Sequence, residues 1–548
     1  MFVDSRKLSH GSVVETDVCI VGAGPAGITM AKEFINQNFQ VCLLEGGDIN
    51  IDEDTASLGD GEMVGDPFPA LRDVRRRQFG GMSNVWNVVL HQYRTGVRYV
   101  DMDAIDFEKR DWVPYSGWPI TKEDLIPFYK RAHKFCRLGP YDYSTESWET
   151  ENTPRLSTKD DQITSSMFKF GPSNIFTTEY RIQIEKSSNI TTYLNANVVE
   201  IETDETAQTI KRVHAACLTG NRFSVKAKIF ILATGGTENA RLLLLSNRVQ
   251  TSGLGNQYDV VGRYFMDHPI VYPGHLYPTD SRVFHSMGLY DKRSVNGETI
   301  MGRLMLTEGI MRREKLMQMS VMLFPRDKKY KSETKASVKE LLSSVKRGKV
   351  PTNFFRVIQN LALNGDELIA DLYQSKIKGE VIKPSLAIGG WSAGGLQDHD
   401  FVKFELVAPT EQAPHPDNRV TLSKRIDKLG CPQMKLTNYW NEIDKESVKR
   451  AESIYAKEFA DAGLGLMKTE GFERQETAMS AHHNMGTTRM HENPRFGVVD
   501  ANCQVHGISN LFVAGSSVFT TGGFANPTLT IIALAMRLAD HLKDKMTP

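Results

Sequence analysis

The chain carries no net charge at neutral pH: its 548 residues hold 66 Lys plus Arg and 66 Asp plus Glu. Without a basic excess there is no overall field to gather nucleic acid, which argues against that partner. Cysteine is scarce. Cys19, Cys42, Cys136, Cys217, Cys431 and Cys503 lie far apart and none forms a CxxC pair. That argues against a disulfide framework or a structural zinc site and fits a reducing compartment. No apolar run reaches the about 18 residues that a membrane span needs. The opening MFVDSRKLSHGSVVETD lacks the apolar core of a secretory signal, which gives the expectation of a soluble, cytoplasmic protein. What is left is ordinary globular composition, 40% apolar and 24% charged, on a chain long enough for two domains.

Residues 17–45, DVCIVGAGPAGITMAKEFINQNFQVCLLE, hold the most specific pattern. Val18–Val21 reads as a strand, Gly22, Gly24 and Gly27 form GxGxxG, a helical pattern follows, and Val41–Leu44 reads as a second strand ending in Glu45. This is the dinucleotide fingerprint in its required context. Gly22 allows the tight turn, Gly24 lets backbone approach a pyrophosphate, and Gly27 lets helix and strand pack closely. Glu45 is placed to accept both ribose hydroxyls of an adenosine. The unit alone does not separate FAD from NAD. Two later segments resemble the pattern of two-domain flavoproteins, in which distant strands return to the nucleotide-binding sheet: residues 227–246, with a buried strand, an Ala-Thr-Gly-Gly turn and a helix, and residues 510–523, with a strand and a Gly-containing turn.

The stretch from Ala481 to Thr530 is where proton chemistry is expected. The pair His482 and His483 precedes Gly-Thr-Thr-Arg-Met, and Asn526-Pro527 opens an apolar run with helical spacing from Leu529 to Leu542. Asn as N-cap and Pro at the first helical position place a helix N-terminus, with its partial positive charge, after a Gly-rich loop. A base and an anion-stabilising helix end in one segment suit a site where a proton leaves and negative charge accumulates. A zinc site from His482, His483 and His491 is not expected, for want of an i, i+4 pair. Residues 75–91, RRRQFGGMSNVWNVVLH, add a Gly80-Gly81 turn with Ser83, Asn84 and Asn87 around Trp86. The three arginines either meet phosphates or form a solvated face.

These motifs, with residues 111–129, VGRYFMDHP at 261–269 and EQAPHPDNRVTLS at 411–423, resemble the glucose–methanol–choline (GMC) oxidoreductase family, in order and over nearly the whole chain. The resemblance is greatest to its sugar-oxidising branch, near the pyranose oxidases. It implies an α/β (α+β overall) chain: a Rossmann-like FAD-binding domain, discontinuous over 1–100, 191–269 and 480–548, and a substrate domain on a mixed or antiparallel sheet over 101–190 and 270–479. It implies His483 as catalytic base, with His482 the competitor, and Asn526 as its partner. Gly22, Gly24, Gly27, Glu45, Gly81, Ser83, Asn84, Asn87, Val198, Ala233, Gly515, Pro527 and Thr528 would bind cofactor. Where pyranose oxidases carry a flavin-linking His this chain has Val85, so FAD is expected to be non-covalent. Asn87 stands where those oxidases carry Thr, which leaves oxygen reactivity open.

The chemistry is coherent from the residues alone. Alcohol oxidation removes an O–H proton and a C–H hydride; neutral imidazole accepts the first, an amide can hold the substrate oxygen, and the hydride belongs to the cofactor. The expected function is FAD-dependent oxidation of a sugar or glycoside hydroxyl, with electrons going to O2 or another acceptor. A non-sugar alcohol (sterol or polyol) and a flavin-containing lyase of the same fold are the alternatives, and a homo-oligomer is left open.

The rest reads less clearly. Residues 130–190 look like loop and short elements, 191–226 a small sheet, 268–278, 301–309 and 398–439 strands, and 443–465 a helix. Seven of the 21 methionines fall in 287–322, as core packing or an adaptable wall. Residues 310–390 are expected as an inserted lid or arm. Its basic run at 326–349 reads as a solvated face or a docking surface, and 353–374 as a helix or broken pair.

Overall fold

Val18–Val21, Val41–Leu44 and Ile229–Leu232 are four-residue runs in which every side chain is buried. Continuous burial on both faces is what a parallel sheet demands, and the computed structural model places all three at the centre of one. The structure describes residues 1–86, 88–90, 94–327, 385–386, 389–392, 401–469 and 479–546. The six strands run parallel in the order Phe2–Asp4, Ile190–Leu194, Val41–Leu44, Val18–Val21, Ile229–Leu232, Leu511–Val513. Segments more than 200 residues apart in sequence therefore lie side by side, and the fingerprint strand sits between its own second strand and Ile229–Leu232. The helix Pro25–Glu33 follows the fingerprint turn and packs against the long helix Thr528–Met546.

A four-stranded sheet, Asn197–Thr203, Ile210–Ala216, Arg222–Lys226 and Ser12–Glu15, adjoins this layer. The third large element is an antiparallel sheet of ten strands. Its main path runs Gly465–Thr469, Pro269–Pro278, Phe401–Pro409, Ser320–Asp327, Glu298–Leu306, Ile163–Pro172, Arg94–Tyr99, Val88–Leu90. The helix Glu442–Asp461 covers it with Val448, Ala451, Tyr455 and Phe459, a stripe at helical spacing that joins Leu304, Leu323 and Leu406 in one core. Each fully buried Val, Leu or Phe among them contributes roughly 1.5–3 kcal/mol. The chain is thus a Rossmann-like parallel sheet joined to a large antiparallel sheet.

Two expectations need correction. Residues 130–190 are not mainly loop: Ile163–Pro172 is a ten-residue strand inside the large sheet. Its polar residues hid it. Lys169 is 1% exposed yet satisfied, its Nζ donating to Glu298 Oε2 at 2.7 Å and to the carbonyls of Pro140 at 2.7 Å and Leu138 at 3.2 Å. The helix expected to open at Pro527 begins at Thr528, with Ile531 N–H donating to the Pro527 carbonyl at 2.8 Å. The Asn526 side chain does not cap it but turns to other partners, described below. Of the lid, 310–327 is a helix, Glu308–Glu314, and a strand of the main sheet. The basic run beyond Asp327 and the 353–374 reading lie outside the described residues.

Candidate active site

A cavity of about 440 Å³ runs from the fingerprint turn to the start of the Thr528–Met546 helix. Of the three fingerprint glycines, Gly22 and Gly24 line it and Gly27 does not. A Cβ on Gly22 would stand 2.6 Å from the Ala233 carbonyl oxygen, and one on Gly27 would stand 1.9 Å from the Gly22 carbonyl oxygen. Those two hold strand, turn and helix together. Gly24 faces open space, with nothing within 4 Å of its Cβ position, and it caps the Pro25–Glu33 helix without a side-chain hydrogen bond. The first-turn N–H groups are therefore open to an anion.

Glu45 is buried beside that turn. Its Oε2 accepts from Ala23 N–H at 2.9 Å and its Oε1 from Gly47 N–H at 2.8 Å. Burial pushes its carboxyl up, and the two backbone donors and Arg77 pull it down. Each oxygen keeps a lone pair for a ribose hydroxyl. Val198, Ala233 and Gly515 also line the cavity, as do Gly235 and Thr237 after the third strand. Of the arginine run, Arg75 and Arg77 both reach Glu238, at 2.5 and 2.7 Å, and all three arginines line the cavity. The open glycine backbone, the free helix end and the Glu45 carboxylate fit the adenine-dinucleotide half of FAD.

Against the fingerprint turn, with Gly80 N–H donating to the Ala23 carbonyl at 2.8 Å, the turn Gly81–Val85 is a tight 3-10 helix led by Gly80 at φ 93°. Gly81, Met82, Val85 and Trp86 line the cavity. Ser83 and Asn84 do not: Ser83 donates to the Gly80 carbonyl at 2.6 Å, and Asn84 to the carbonyls of Phe79 and Gly81, each at 2.9 Å. They brace the turn. Asn87 lies outside the described residues. Pro527 and Thr528 also line the cavity.

His483 and Asn526 line the same cavity and touch, Asn526 Nδ2 to His483 Nε2 at 3.1 Å. His482 is exposed at the rim, with left-handed backbone at φ 61°. Three further residues, not singled out from the sequence, complete the group. Arg98, on the strand Arg94–Tyr99, donates from Nε to Asn526 Oδ1 at 2.7 Å. His268 Nδ1 lies 2.9 Å from His483 Nδ1, and its Nε2 is 3.3 Å from the Gly522 carbonyl oxygen. Asp267 Oδ1 accepts the backbone N–H of both His268 and His483, each at 2.7 Å, and Asp267 Oδ2 accepts from Ser480. Asp267 and His268 stand in VGRYFMDHP, which marked the segment without marking the side chains. Arg98 sits in RTGVRY, which carries no motif.

Burial decides the protonation states. It drives the His483 imidazole well below its ordinary pKa, helped by His268, Arg98 and His482. Burial likewise pulls His268 down to about 4 and pushes Asp267 up to about 6, against its three hydrogen-bond donors. The Arg98 guanidinium is drawn down to about 9 by burial and by Arg303. Both histidines are neutral at pH 7, and Arg98 remains a cation. Phe168 lies between the two guanidiniums, 4.3 Å from Arg98 and 4.7 Å from Arg303. The arrangement offers a desolvated base, an amide beside it and a positive charge behind the amide.

A family model for GMC oxidoreductases matches residues 414–535, which include His483 and Asn526. The large subunit of fructose dehydrogenase from Gluconobacter japonicus is 27% identical over 320 residues, 58% of this chain and 47% of that one. The match thus spans about half the length of that relative. A 2-methyl-1,2-propanediol dehydrogenase from Mycolicibacterium austroafricanum is 22% identical over 602 residues, 98% of this chain and 96% of that one. Formate oxidase, an FAD protein of Aspergillus oryzae RIB40, has a similar solved structure. Its TM-score is 0.54 at 18% identity, covering 98% of this chain and 99% of that one, a likeness of fold.

Proposed function

We propose that this chain is a GMC oxidoreductase acting on CH–OH groups and that it oxidises a hydroxyl of a sugar or glycoside to a carbonyl with non-covalently bound FAD. When bound, FAD supplies the hydride acceptor, N5, and a route for electrons to O2 or another acceptor. The protein's part is proton removal and positioning. The substrate hydroxyl enters between His483 Nε2 and the Asn526 amide. His483 takes the proton, and Asn526 holds the oxygen so that one C–H is presented. The Thr528–Met546 helix N-terminus and Arg98 stabilise negative charge on this side of the cavity. Gly22, Gly24 and Glu45 would hold the adenosine and pyrophosphate, and Gly27 keeps helix and turn close enough to form that site.

The observation that carries this reading is the 3.1 Å contact between a half-buried, neutral His483 and Asn526 on the wall of the cavity that the dinucleotide fingerprint also lines. Non-covalent binding is supported by the Gly81–Trp86 turn, which presents Met82, Val85 and Trp86 to the cavity and no nucleophile that links a flavin. The sugar assignment is supported by the likeness to fructose dehydrogenase. A second reading, a small branched alcohol, is favoured by the full-length match to 2-methyl-1,2-propanediol dehydrogenase and by the apolar wall of Ile270, Leu386 and Ala481.

The test is anaerobic mixing of the yellow protein with monosaccharides, glycosides and short diols, following flavin absorbance. Bleaching by a sugar or glycoside is expected, and bleaching by diols alone would replace the sugar assignment with the second reading. Recovery of colour on admitting air identifies an oxidase.

A further inference from the structure

Arg98 and Gly522 stand at the two ends of a hydrogen-bonded chain, Arg98–Asn526–His483–His268–Gly522, with heavy-atom distances of 2.7, 3.1, 2.9 and 3.3 Å. Its interior members can each be turned two ways. An amide places either oxygen or nitrogen on a given side, and a neutral imidazole carries its proton on either nitrogen. The ends have no such freedom. A guanidinium only donates, and a peptide carbonyl only accepts.

The direction of the whole chain follows. Arg98 Nε–H requires the oxygen of Asn526, so the amide nitrogen faces His483 and donates to its Nε2. A ring nitrogen that accepts is bare, so neutral His483 carries its proton on Nδ1 and donates it to His268 Nδ1. His268 then carries its own proton on Nε2, where the Gly522 carbonyl accepts it. Both ends demand the same direction, and no member is left donor to donor. The Asp267 carboxylate clamps the two histidine backbones together, and the rings cross edge to face at 85° with centroids 5.1 Å apart. Among the described residues no carboxylate pairs with Arg98; its other bonded partner is Met322 Sδ, at 2.9 Å from Nη1. A buried guanidinium without a carboxylate is costly, which makes its placement behind Asn526 informative.

We infer that Arg98 and His268 are positioning residues that fix the Nδ1–H tautomer of His483 and leave Nε2 bare for the substrate proton. This rests on the reading of His483 as the base.

The test is nuclear magnetic resonance of the FAD-loaded protein with isotope-labelled histidine, correlating ring nitrogens with ring protons. His483→Gln and His268→Gln identify the signals. The expected pattern is a protonated Nδ1 and bare Nε2 in His483, and the reverse in His268. Arg98→Met is expected to move the His483 nitrogens toward an averaged tautomer mixture, and Arg98→Lys, which retains a donor, to restore them in part. A wild-type His483 protonated at Nε2 overturns the inference, and so does a pattern unmoved by Arg98→Met. Should Arg98→Met fail to fold, the wild-type tautomers decide alone. The tautomer is read without substrate. A flavin that no alcohol reduces would therefore defeat the functional reading and leave this result standing, and the converse failure is equally separable.

Discussion

A Cβ on Gly27 would stand 1.9 Å from the Gly22 carbonyl oxygen, whereas one on Gly24, three residues earlier, would meet nothing within 4 Å. The same substitution therefore has two different consequences. Gly27→Ala forces strand and helix apart, an overpacking that costs about 1–3 kcal/mol or more, and is expected to lower the midpoint of urea unfolding. Gly24→Ala is expected to leave the apo protein within about 0.5 kcal/mol of wild type while it places a methyl group in the cavity. Its purified form should hold far less flavin. Equal loss of stability in both variants would contradict the division.

Asn526→Asp exchanges the donor facing His483 for a carboxylate. The new carboxylate pairs with Arg98, so the fold is kept. It also stabilises the imidazolium of His483, which raises a pKa that burial holds well below its ordinary value. In the wild type the acid limb of flavin reduction lies below the usual histidine range. In the variant it moves upward, with a loss of about 10²-fold at pH 7 that is regained in part at higher pH. Stopped-flow reduction across pH checks this; an unmoved acid limb would count against His483 as the titrating group.

His268 links stability to acidity. Its folded pKa, about 4, lies below the ordinary 6.5. A base with a depressed folded pKa contributes stability that is present above 6.5 and lost as pH falls toward 4, on the order of 3 kcal/mol. His268→Gln is expected to flatten that part of the curve. Asp267, whose folded pKa of about 6 is raised, titrates in both proteins, so the difference between their thermal midpoints isolates His268.

Arg110 and Glu411 form a bidentate pair with both side chains fully buried. Glu411→Gln leaves Arg110 a buried charge without its partner, and a loss of about 3–5 kcal/mol is expected. Equilibrium unfolding in urea reads it directly.

The sequence revealed what is local. The fingerprint strand, turn and helix fall where the spacing put them, as do Ile229–Leu232 and the helix Glu442–Asp461, because each depends on apolar periodicity within one segment. The strand Ile163–Pro172 was hidden because Lys169 breaks the apolar pattern, and its compensation by Glu298 comes from a strand 129 residues later. Asn526 has the composition of an N-cap, but Arg98, 428 residues away, takes its side chain. The support of the candidate site from Arg98, Asp267 and His268 was illegible for the same reason: these residues become neighbours only once the parallel and antiparallel sheets meet.

The most direct measurement of the central claim compares wild type with His483→Ala, both FAD-loaded and anaerobic, mixed with a substrate from the panel and separately with dithionite. The account predicts that dithionite bleaches both alike, while the substrate bleaches the variant about 10²–10⁴-fold more slowly. Equal bleaching of both by the substrate would contradict it.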